Sequence, residues 1–327
     1  MSVVWWALLP GLVLIGLALQ RRFKPLQSVA RGLLVSYLTL LIPLATAETY
    51  LRCCFAQSEN TLTWSTRNWL DRYWQTNTLG YRDREWTPAD WEGKTTVMLL
   101  GDSFAAGWGI NDPADRFGDQ LATRLGEGYA LLNLAQYGRA TPQELALLQA
   151  HPLQTPDVVI LQYYLNDINY AQLALGLEFK PQPDPAWVNE SAVLNFLYFR
   201  FLPFTSPQAA DARHYDFESY DNPTVWAIHE AELHTFINHI ESINARLIVV
   251  IFPDMLNPYG SIPYVDRVAQ VFEARNQQNI FKLFDAAEAW PLNERIVSNR
   301  DTHASVAFNA YVADELYARY FAGAKPP

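Results

Sequence analysis

The chain has 327 residues, of which half are hydrophobic and 14% aromatic, and this length suits one large domain with an accessory segment. Such a composition excludes a disordered chain, because it supplies enough apolar side chains for a packed core. The net charge is −10, and the first 31 residues contain four basic side chains and no acid, so the remainder carries −14 and lacks the basic surface that nucleic acid requires.

Two apolar runs lie at the N-terminus, with a basic stretch between them. Residues 3–19 are almost wholly apolar, and residues 32–47 are largely apolar again. The residues between them contain no acid and four basic side chains: Arg21, Arg22, Lys24 and Arg31. Crossing a bilayer takes about 20 apolar residues, with a range of about 17 to 25. Residues 1–54 are therefore predicted to form a membrane anchor with one or two transmembrane helices.

Three topologies are compatible with these runs. Both runs could span as a helical hairpin, or the first could lie shallow while the second spans. In either case the positive-inside rule keeps the basic stretch cytoplasmic and places everything after Ala47 on the periplasmic or extracellular side of the inner membrane. In the third, residues 32–47 are the apolar region of a signal peptide with Ala45-Thr46-Ala47 as its cleavage site. The long hydrophobic stretch before the basic residues is unusual for a signal peptide.

A regular alternation of strand-like and helix-like segments begins at Thr95, after a tryptophan-rich connector at 55–94. Alternating strands and helices predict a mostly parallel sheet covered on both faces. Residues 95–327 are therefore predicted to be an α/β domain of the three-layer, flavodoxin-like type. The strand-like runs are residues 97–100, 131–134, 158–163 and 247–252, with a weaker one at 280–284.

The alternation breaks down in an insertion at residues 169–222, which is rich in proline and contains an aromatic run at 194–204. A long irregular connection is uncommon in a compact domain unless it is a lid or a binding element. Three interpretations of the aromatic run stay open. It could cap an acyl pocket, touch the bilayer, or form a short helix packed on the core.

Polar motifs follow successive strand-like runs. The first run stops at a tight turn, which places Ser103 at the carboxyl end of a strand, where open α/β sheets bind ligands. The last motif opens the final helix-like segment. The four motifs are Gly101-Asp102-Ser103, Tyr137-Gly138, Asn166-Asp167 and Asp301-Thr302-His303.

These four blocks, in this order, resemble those of the SGNH (GDSL-type) hydrolase superfamily over about residues 77–320. The stretch 77–86 resembles the Asn-x-x-Gly-x-Arg sequence of a membrane-anchored bacterial branch. Two interpretations of that stretch stay open, a loop that edges the active site and a salt-bridged surface turn. Two positions depart from the superfamily pattern, Tyr164 in place of a glycine and the short Asp301-Thr302-His303 spacing. The short spacing also occurs in SGNH-like enzymes that O-acetylate exported polysaccharides.

The resemblance implies a serine esterase site. Ser103 would be the nucleophile, His303 the base and Asp301 the residue that orients the base. The oxyanion would be bound by the backbone N–H groups of Ser103 and Gly138 and by the side-chain amide of Asn166.

The remaining polar candidates are given structural roles. Asp102 and Asp167 are interpreted as turn-fixing residues, and His229, His234 and His239 as solvated surface residues. The sequence shows no histidine or carboxylate cluster at metal-ligand spacing, so no metal or cofactor is expected.

Three functions follow from this interpretation. The first is a membrane-anchored serine esterase that hydrolyses acyl esters outside the cytoplasmic membrane. The second is an O-acyltransferase that modifies an exported glycan through the same acyl-Ser103 intermediate and works with a multi-spanning membrane acyltransferase. The third is a catalytically silent binding module. The expected partners are an acyl ester of a glycan or lipid and the membrane.

Overall fold

The chain divides into two compact units in the computed structural model, which describes residues 3–20, 22–177, 185–205 and 212–323. Unit 1 contains Met1–Arg72 and Pro181–Ala210, and unit 2 contains Tyr73–Lys180 and Asp211–Pro327. Arg21 of the basic stretch and residues 178–184 and 206–211 of the predicted insertion lie outside the described residues.

The elements are numbered in chain order. The helices are α1 (Val3–Leu19), α2 (Lys24–Cys53), α3 (Trp64–Tyr73), α4 (Pro88–Trp91), α5 (Ser103–Ala106), α6 (Phe117–Leu125), α7 (Thr141–Ala150), α8 (Asn169–Ala174), α9 (Ala192–Thr205), α10 (Ala212–Asp221), α11 (Pro223–Ser242), α12 (Pro258–Glu273), α13 (Phe284–Ala289), α14 (Leu292–Arg295) and α15 (Val306–Tyr320). The strands are β1 (Thr95–Leu100), β2 (Tyr129–Asn133), β3 (Val158–Tyr164), β4 (Arg246–Phe252), β5 (Ile280–Lys282), β6 (Ile296–Ser298) and β7 (Asp301–Ala304).

Unit 2 is built on a parallel sheet with the strand order β2-β1-β3-β4-β5. This is the flavodoxin-like order, in which the direction of strand addition reverses between β1 and β3. The predicted fold class is confirmed, and each strand-like run falls on an observed strand.

Both faces of the sheet are buried, as the continuous apolar runs of its strands require. Met98 and Leu100 of β1 pack on one face with residues of α7, α11 and α12. Val97 and Leu99 pack on the other with residues of α6, α13 and α15. Unit 2 therefore has three layers, with helices above and below the sheet.

His229 on α11 corrects the sequence interpretation, because its side chain is buried rather than solvated. Its Nε2 lies 2.7 Å from the hydroxyl of Tyr163, and its Nδ1 lies 3.1 Å from a carboxylate oxygen of Glu232. His229 shares its helix face with the buried Leu233 and Ile240 at helical spacing. Burial lowers the pKa of His229, which favours the neutral imidazole. His234 and His239 are half-buried.

Unit 1 contains α1, α2, α3 and α9. Helices α1 and α2 pack closely, since a Cβ on Gly11 would lie 2.6 Å from the ring of Tyr37. Among the described residues, α2 is the helix that is long and apolar enough to cross a membrane, with a mean hydropathy of 1.6 in its most apolar window. A helix of this kind near the N-terminus fits a membrane anchor and also a signal sequence.

Candidate active site

Gln162 of β3 fixes the turn that carries Ser103. The amide oxygen of Gln162 accepts hydrogen bonds from the backbone N–H groups of Asp102 and Ala105, at 3.1 and 3.0 Å. A Cβ at Gly101 would lie 2.5 Å from that oxygen, so only glycine allows this approach. Ser103 is therefore held at the start of α5, between β1 and β3, where ligands bind in sheets of this order.

Three of the predicted side chains form one hydrogen-bonded row. Ser103 Oγ lies 2.8 Å from His303 Nε2, and His303 Nδ1 lies 2.6 Å from Asp301 Oδ1. The Asp301 side chain is 1% exposed, whereas the His303 side chain is 23% exposed. The row thus joins a buried carboxylate to a serine hydroxyl through both nitrogens of one imidazole, the geometry in which an imidazole can take a proton from a serine.

Asp301 and His303 lie on strand β7, and they do not open the last helix as the sequence interpretation had it. Strand β7 pairs with β6 in an antiparallel hairpin, and α15 begins at Val306. Residues two apart on a strand point to the same side, so the short spacing still brings the two side chains together. The His303 ring packs against Phe104 with a centroid distance of 4.8 Å.

The three candidate oxyanion donors follow three adjacent strands. Gly138 lies in the loop after β2, with φ +71°, and the N–H of Gln136 in that loop donates to the carbonyl of Gly101 at 3.2 Å. Asn166 follows β3 and lies close to the carboxylate of Asp102.

Near the carboxyl ends of β1 and β3 lies a cluster of buried carboxyl groups. Its members are Asp102, Glu144 and Asp167, and sequence analysis did not identify them as a group. Asp167 accepts a hydrogen bond from the Thr141 hydroxyl at 2.8 Å. Neither carboxyl oxygen of Glu144 has a hydrogen-bond partner among the described residues. Burial raises the pKa of Glu144 well above its usual range, and the nearby Asp167 and Asp102 raise it further.

The helical spacing of α7 could have revealed Glu144, since it shares the buried face with Thr141, Leu145 and Leu148. In the same way, Gln162 is the one polar residue within an otherwise apolar and aromatic strand, Val158–Tyr164. Within the part of the chain that the structure describes, no group of three or more histidine, cysteine, aspartate or glutamate side chains is placed to hold a metal ion.

Arg82 of the Asn-x-x-Gly-x-Arg stretch is buried, so the interpretation of that stretch as a salt-bridged surface turn is wrong at this residue. Its guanidinium donates to the carbonyls of Gly107 and Ile110, both at 2.7 Å. These residues belong to the loop that follows Ser103. Burial is the first cause that lowers the pKa of Arg82 to about 10, and the neighbouring Arg116 is the second. Arg82 therefore fixes the backbone beyond the serine turn.

A cavity of about 400 Å³ opens beside Gly138. Two aromatic rings and several polar side chains line it, and the ring of Tyr137 lies 5.3 Å from that of Trp74. The lining residues are Trp74, Thr76, Gly80, Arg82, Ala135, Gln136, Tyr137, Gly138 and Arg139.

Comparison with known proteins gives one family. The family model described as the GDSL-like Lipase/Acylhydrolase family matches residues 99–310. No curated protein sequence matches the chain.

Several solved structures resemble the chain at low sequence identity. TesA is 15% identical, with 68% of this chain and 96% of that one covered and a TM-score of 0.42. The esterase EstA from Pseudoalteromonas sp. is 16% identical, with 69% and 96% covered and a TM-score of 0.42. The lipase/acylhydrolase from Enterococcus faecalis is 19% identical, with 68% and 96% covered and a TM-score of 0.40.

Proposed function

Because the chain belongs to the GDSL-like lipase/acylhydrolase family and is an ester-hydrolysing enzyme, we propose that Ser103, His303 and Asp301 are its catalytic triad. The observation that carries this proposal is the hydrogen-bonded row from Ser103 Oγ through both imidazole nitrogens to Asp301. The row lies on the part of the chain that the family model matches.

In the first half of the reaction, Ser103 Oγ attacks the carbonyl carbon of the ester, and its proton moves to His303 Nε2. Asp301 accepts the hydrogen bond from His303 Nδ1–H, which fixes the tautomer and stabilises the imidazolium that forms. The tetrahedral intermediate then collapses. The alcohol leaves with the proton from His303, and the acyl group stays on Ser103.

The charge on the tetrahedral oxygen needs donors that are in place beforehand, and losing one typically costs about 3 kcal/mol in the barrier. We assign this role to the N–H groups of Ser103 and Gly138 and to the amide of Asn166. Support comes from the positions of the three groups after three adjacent strands, and from the absence of a Cβ at Gly138. Hydrolysis of the acyl-serine repeats these steps with water as the nucleophile and His303 as its base.

The anchor and the topology are also part of the proposal. We propose that residues 1–54 anchor the protein through α2, that 55–94 connect, and that 95–327 catalyse on the periplasmic or extracellular side of the inner membrane. Support comes from the length of α2 and from the basic residues Lys24 and Arg31 near its start. Alkaline phosphatase fused after Pro327 should be active. An inactive fusion, with a cytoplasm-only fluorescent reporter that glows at the same place, would rule out export.

The triad is tested with a fluorescent phosphonate probe that reacts with activated serines. Ser103→Ala should abolish labelling, and both Ser103→Ala and His303→Ala should lower kcat on the order of 10⁶-fold, as removal of triad members does. The matched control is Ser242→Ala at an exposed hydroxyl, which should keep both labelling and kcat. Labelling of Ser103→Ala at the wild-type level would refute the assignment.

Measuring the free acid released, with and without an added glycan, separates hydrolysis from acyl transfer. An esterase releases the free acid from a panel of acyl esters whether or not an acceptor is present. An O-acyltransferase would instead move the acyl group from Ser103 to the hydroxyl of an added glycan, with little free acid released. Hydrolysis is the expected result.

A further inference from the structure

Helix α9 of unit 1 buries the polar side chain of Asn195 on its inner face. Ala192, Asn195 and Phe199 are buried, and their spacing of three and four residues places them on one face. The Asn195 amide accepts a hydrogen bond from the N–H of Trp64 at 3.0 Å and donates to the carbonyl of Leu62 at 3.2 Å. The inner face is therefore fixed by specific polar contacts.

The outer face of α9 is apolar. Leu194, Leu197 and Phe201 recur at helical spacing opposite the buried face, and Leu197 and Phe201 are 43% and 60% exposed. Just before the helix, Trp187 is 47% exposed, and its ring meets that of Tyr198 edge-on at 5.9 Å. The charged Arg200 of α9 is paired with Glu59 at 2.9 Å. A helix with apolar side chains directed outward, and with its charged side chain paired, is suited to apolar surroundings rather than to water.

Glu48 of α2 fixes the start of α9. Its carboxylate accepts hydrogen bonds from the N–H groups of Ala192 and Val193, both at 2.9 Å, and from the Ser191 hydroxyl at 2.7 Å. A carboxylate is favoured at a helix N-terminus, because the first N–H groups there have no partner within the helix. The position of α9 is thus tied to one point on α2.

That point is where the apolar part of α2 ends. Glu48 is the first charged residue after the uncharged stretch 32–47. Two residues further on, Tyr50 is 54% exposed, and its ring lies 6.2 Å from that of Phe55. The ring of Phe55 lies 5.8 Å from that of Phe196 on α9. Aromatic side chains at the end of a membrane span typically lie at the headgroup level. If α2 spans the bilayer, α9 begins at its boundary.

We propose that α9 lies in the headgroup region of the lipid bilayer, with Leu194, Leu197 and Phe201 turned toward the acyl chains. Interfacial helices bury their apolar face about 5–10 Å into the boundary between headgroups and acyl chains. The proposed partner is the lipid surface itself. This inference rests on the proposed membrane anchor, since the depth of α9 is set by its attachment to α2.

The test measures depth in the bilayer with the full chain reconstituted in phosphatidylethanolamine–phosphatidylglycerol vesicles. The chain has two cysteines, Cys53 and Cys54, and both are changed to serine. The fluorophore NBD is then attached at one new cysteine, in Leu197→Cys or Phe201→Cys. Quenching is measured with lipids that carry a nitroxide near the headgroup or deep in the acyl chain, and with aqueous iodide.

Two further positions serve as controls. Leu40→Cys, in the middle of α2, reports whether α2 spans, and Tyr259→Cys reports an exposed residue of unit 2. We expect the shallow nitroxide to quench the labels at positions 197 and 201 and the deep nitroxide to quench the label at position 40. The label at position 259 should be quenched by iodide alone.

Each other outcome overturns the proposal in a distinguishable way. The deep nitroxide could quench the label at position 40 while the labels at 197 and 201 are quenched by iodide alone. That result would leave the anchor in place and refute the interfacial helix. Failure at 40 as well would refute the anchor and the helix together. Shielding of 197 and 201 from both nitroxide lipids and iodide would show that another protein surface, such as a second copy of the chain, covers α9.

Discussion

Helices α5 and α9 each begin on a side chain supplied by another element, and the two side chains differ in charge. Gln162 of β3 accepts from the N–H groups at the start of α5, and Glu48 of α2 accepts from those at the start of α9. Gln162 is fully buried, whereas the Glu48 side chain is 23% exposed and pairs with Arg52. The two helices also differ in the side chains that they carry, the Ser103 hydroxyl on α5 and an apolar stripe on α9.

The surroundings of the two caps explain why only one of them is charged. A carboxylate at a helix N-terminus interacts favourably with the helix dipole, and the hydrogen bonds and the Arg52 ion pair of Glu48 offset its desolvation. In a fully buried position the desolvation cost amounts to several kcal/mol, and near Asp102 a second negative charge would add repulsion. The neutral amide of Gln162 supplies the same hydrogen bonds without either cost. Four substitutions test this difference between the two caps.

The largest effect is expected from Asp301→Asn, which leaves the Gln162-capped turn intact and changes only what the turn faces. An asparagine can hold His303 in the wrong tautomer, and the equivalent change in other triads lowers kcat by about 10⁴-fold. The measurement is kcat with a soluble acyl ester. The loss should not exceed that of Ser103→Ala or His303→Ala, because the base and the oxyanion donors remain. Asp314→Asn, at a 65% exposed carboxylate, should be active, and near-wild-type turnover in Asp301→Asn would contradict the triad.

The second prediction places a negative charge at the buried cap of α5. Gln162→Glu is nearly isosteric, and at neutral pH it should cost about 3–5 kcal/mol of unfolding free energy, the range for an uncompensated buried charge. The cost should shrink at pH 5, where a buried glutamate binds a proton. The measurement is denaturant unfolding at both pH values. Gln270→Glu, at an exposed position on α12, should change stability by no more than about 0.5 kcal/mol. An equal loss in both variants would show that burial at 162 is not the cause.

The sheet and the candidate active site show how far the sequence predicts the structure. The strands of the sheet are continuous apolar runs of β-branched residues, so their positions and the strand-end location of Ser103 follow from local pattern. The row of Ser103, His303 and Asp301 was predicted because each residue lies in a short motif whose order along the chain is informative.

The residues that were missed depend on contacts between distant parts of the chain. Arg82 donates to carbonyls 25 and 28 residues away, and Glu48 meets the start of α9 across 144 residues. No local periodicity encodes such pairs. His229 and Glu144 are different, because helical spacing alone places both on buried faces, and their polarity led to a surface interpretation for His229 and to no assignment for Glu144.

The third prediction makes the opposite change to the second. Glu144→Gln removes a carboxyl group from the buried cluster. The pKa of Glu144 is raised well above its ordinary 4.5 in the folded state, first by burial and then by Asp167 and Asp102. A carboxyl with a raised folded-state pKa favours folding below pH 4.5, and that contribution is lost as the pH rises through the folded-state value. Glu144→Gln should therefore raise Tm, and more so at pH 8 than at pH 5. Thermal unfolding at both pH values measures the effect, with Glu288→Gln at an exposed site as the control. A gain that is equal at the two pH values would point to packing rather than charge.

The smallest effect is expected at the charged cap, where Glu48→Ala removes the acceptor for the first N–H groups of α9. Loss of a helix N-cap typically costs about 1 kcal/mol, which corresponds to about a fivefold rise in the local opening equilibrium. Amide hydrogen exchange of residues 192–196 measures it directly, while exchange in β1 and β3 should not change. Glu48→Gln is the sharper variant, because its amide oxygen still accepts one hydrogen bond without the charge, just as Gln162 does for α5. Its exchange rates should lie between those of the wild type and Glu48→Ala. If Glu48→Gln were as damaging as Glu48→Ala, the charge itself would hold α9, and the resemblance between the two caps would be limited to their geometry.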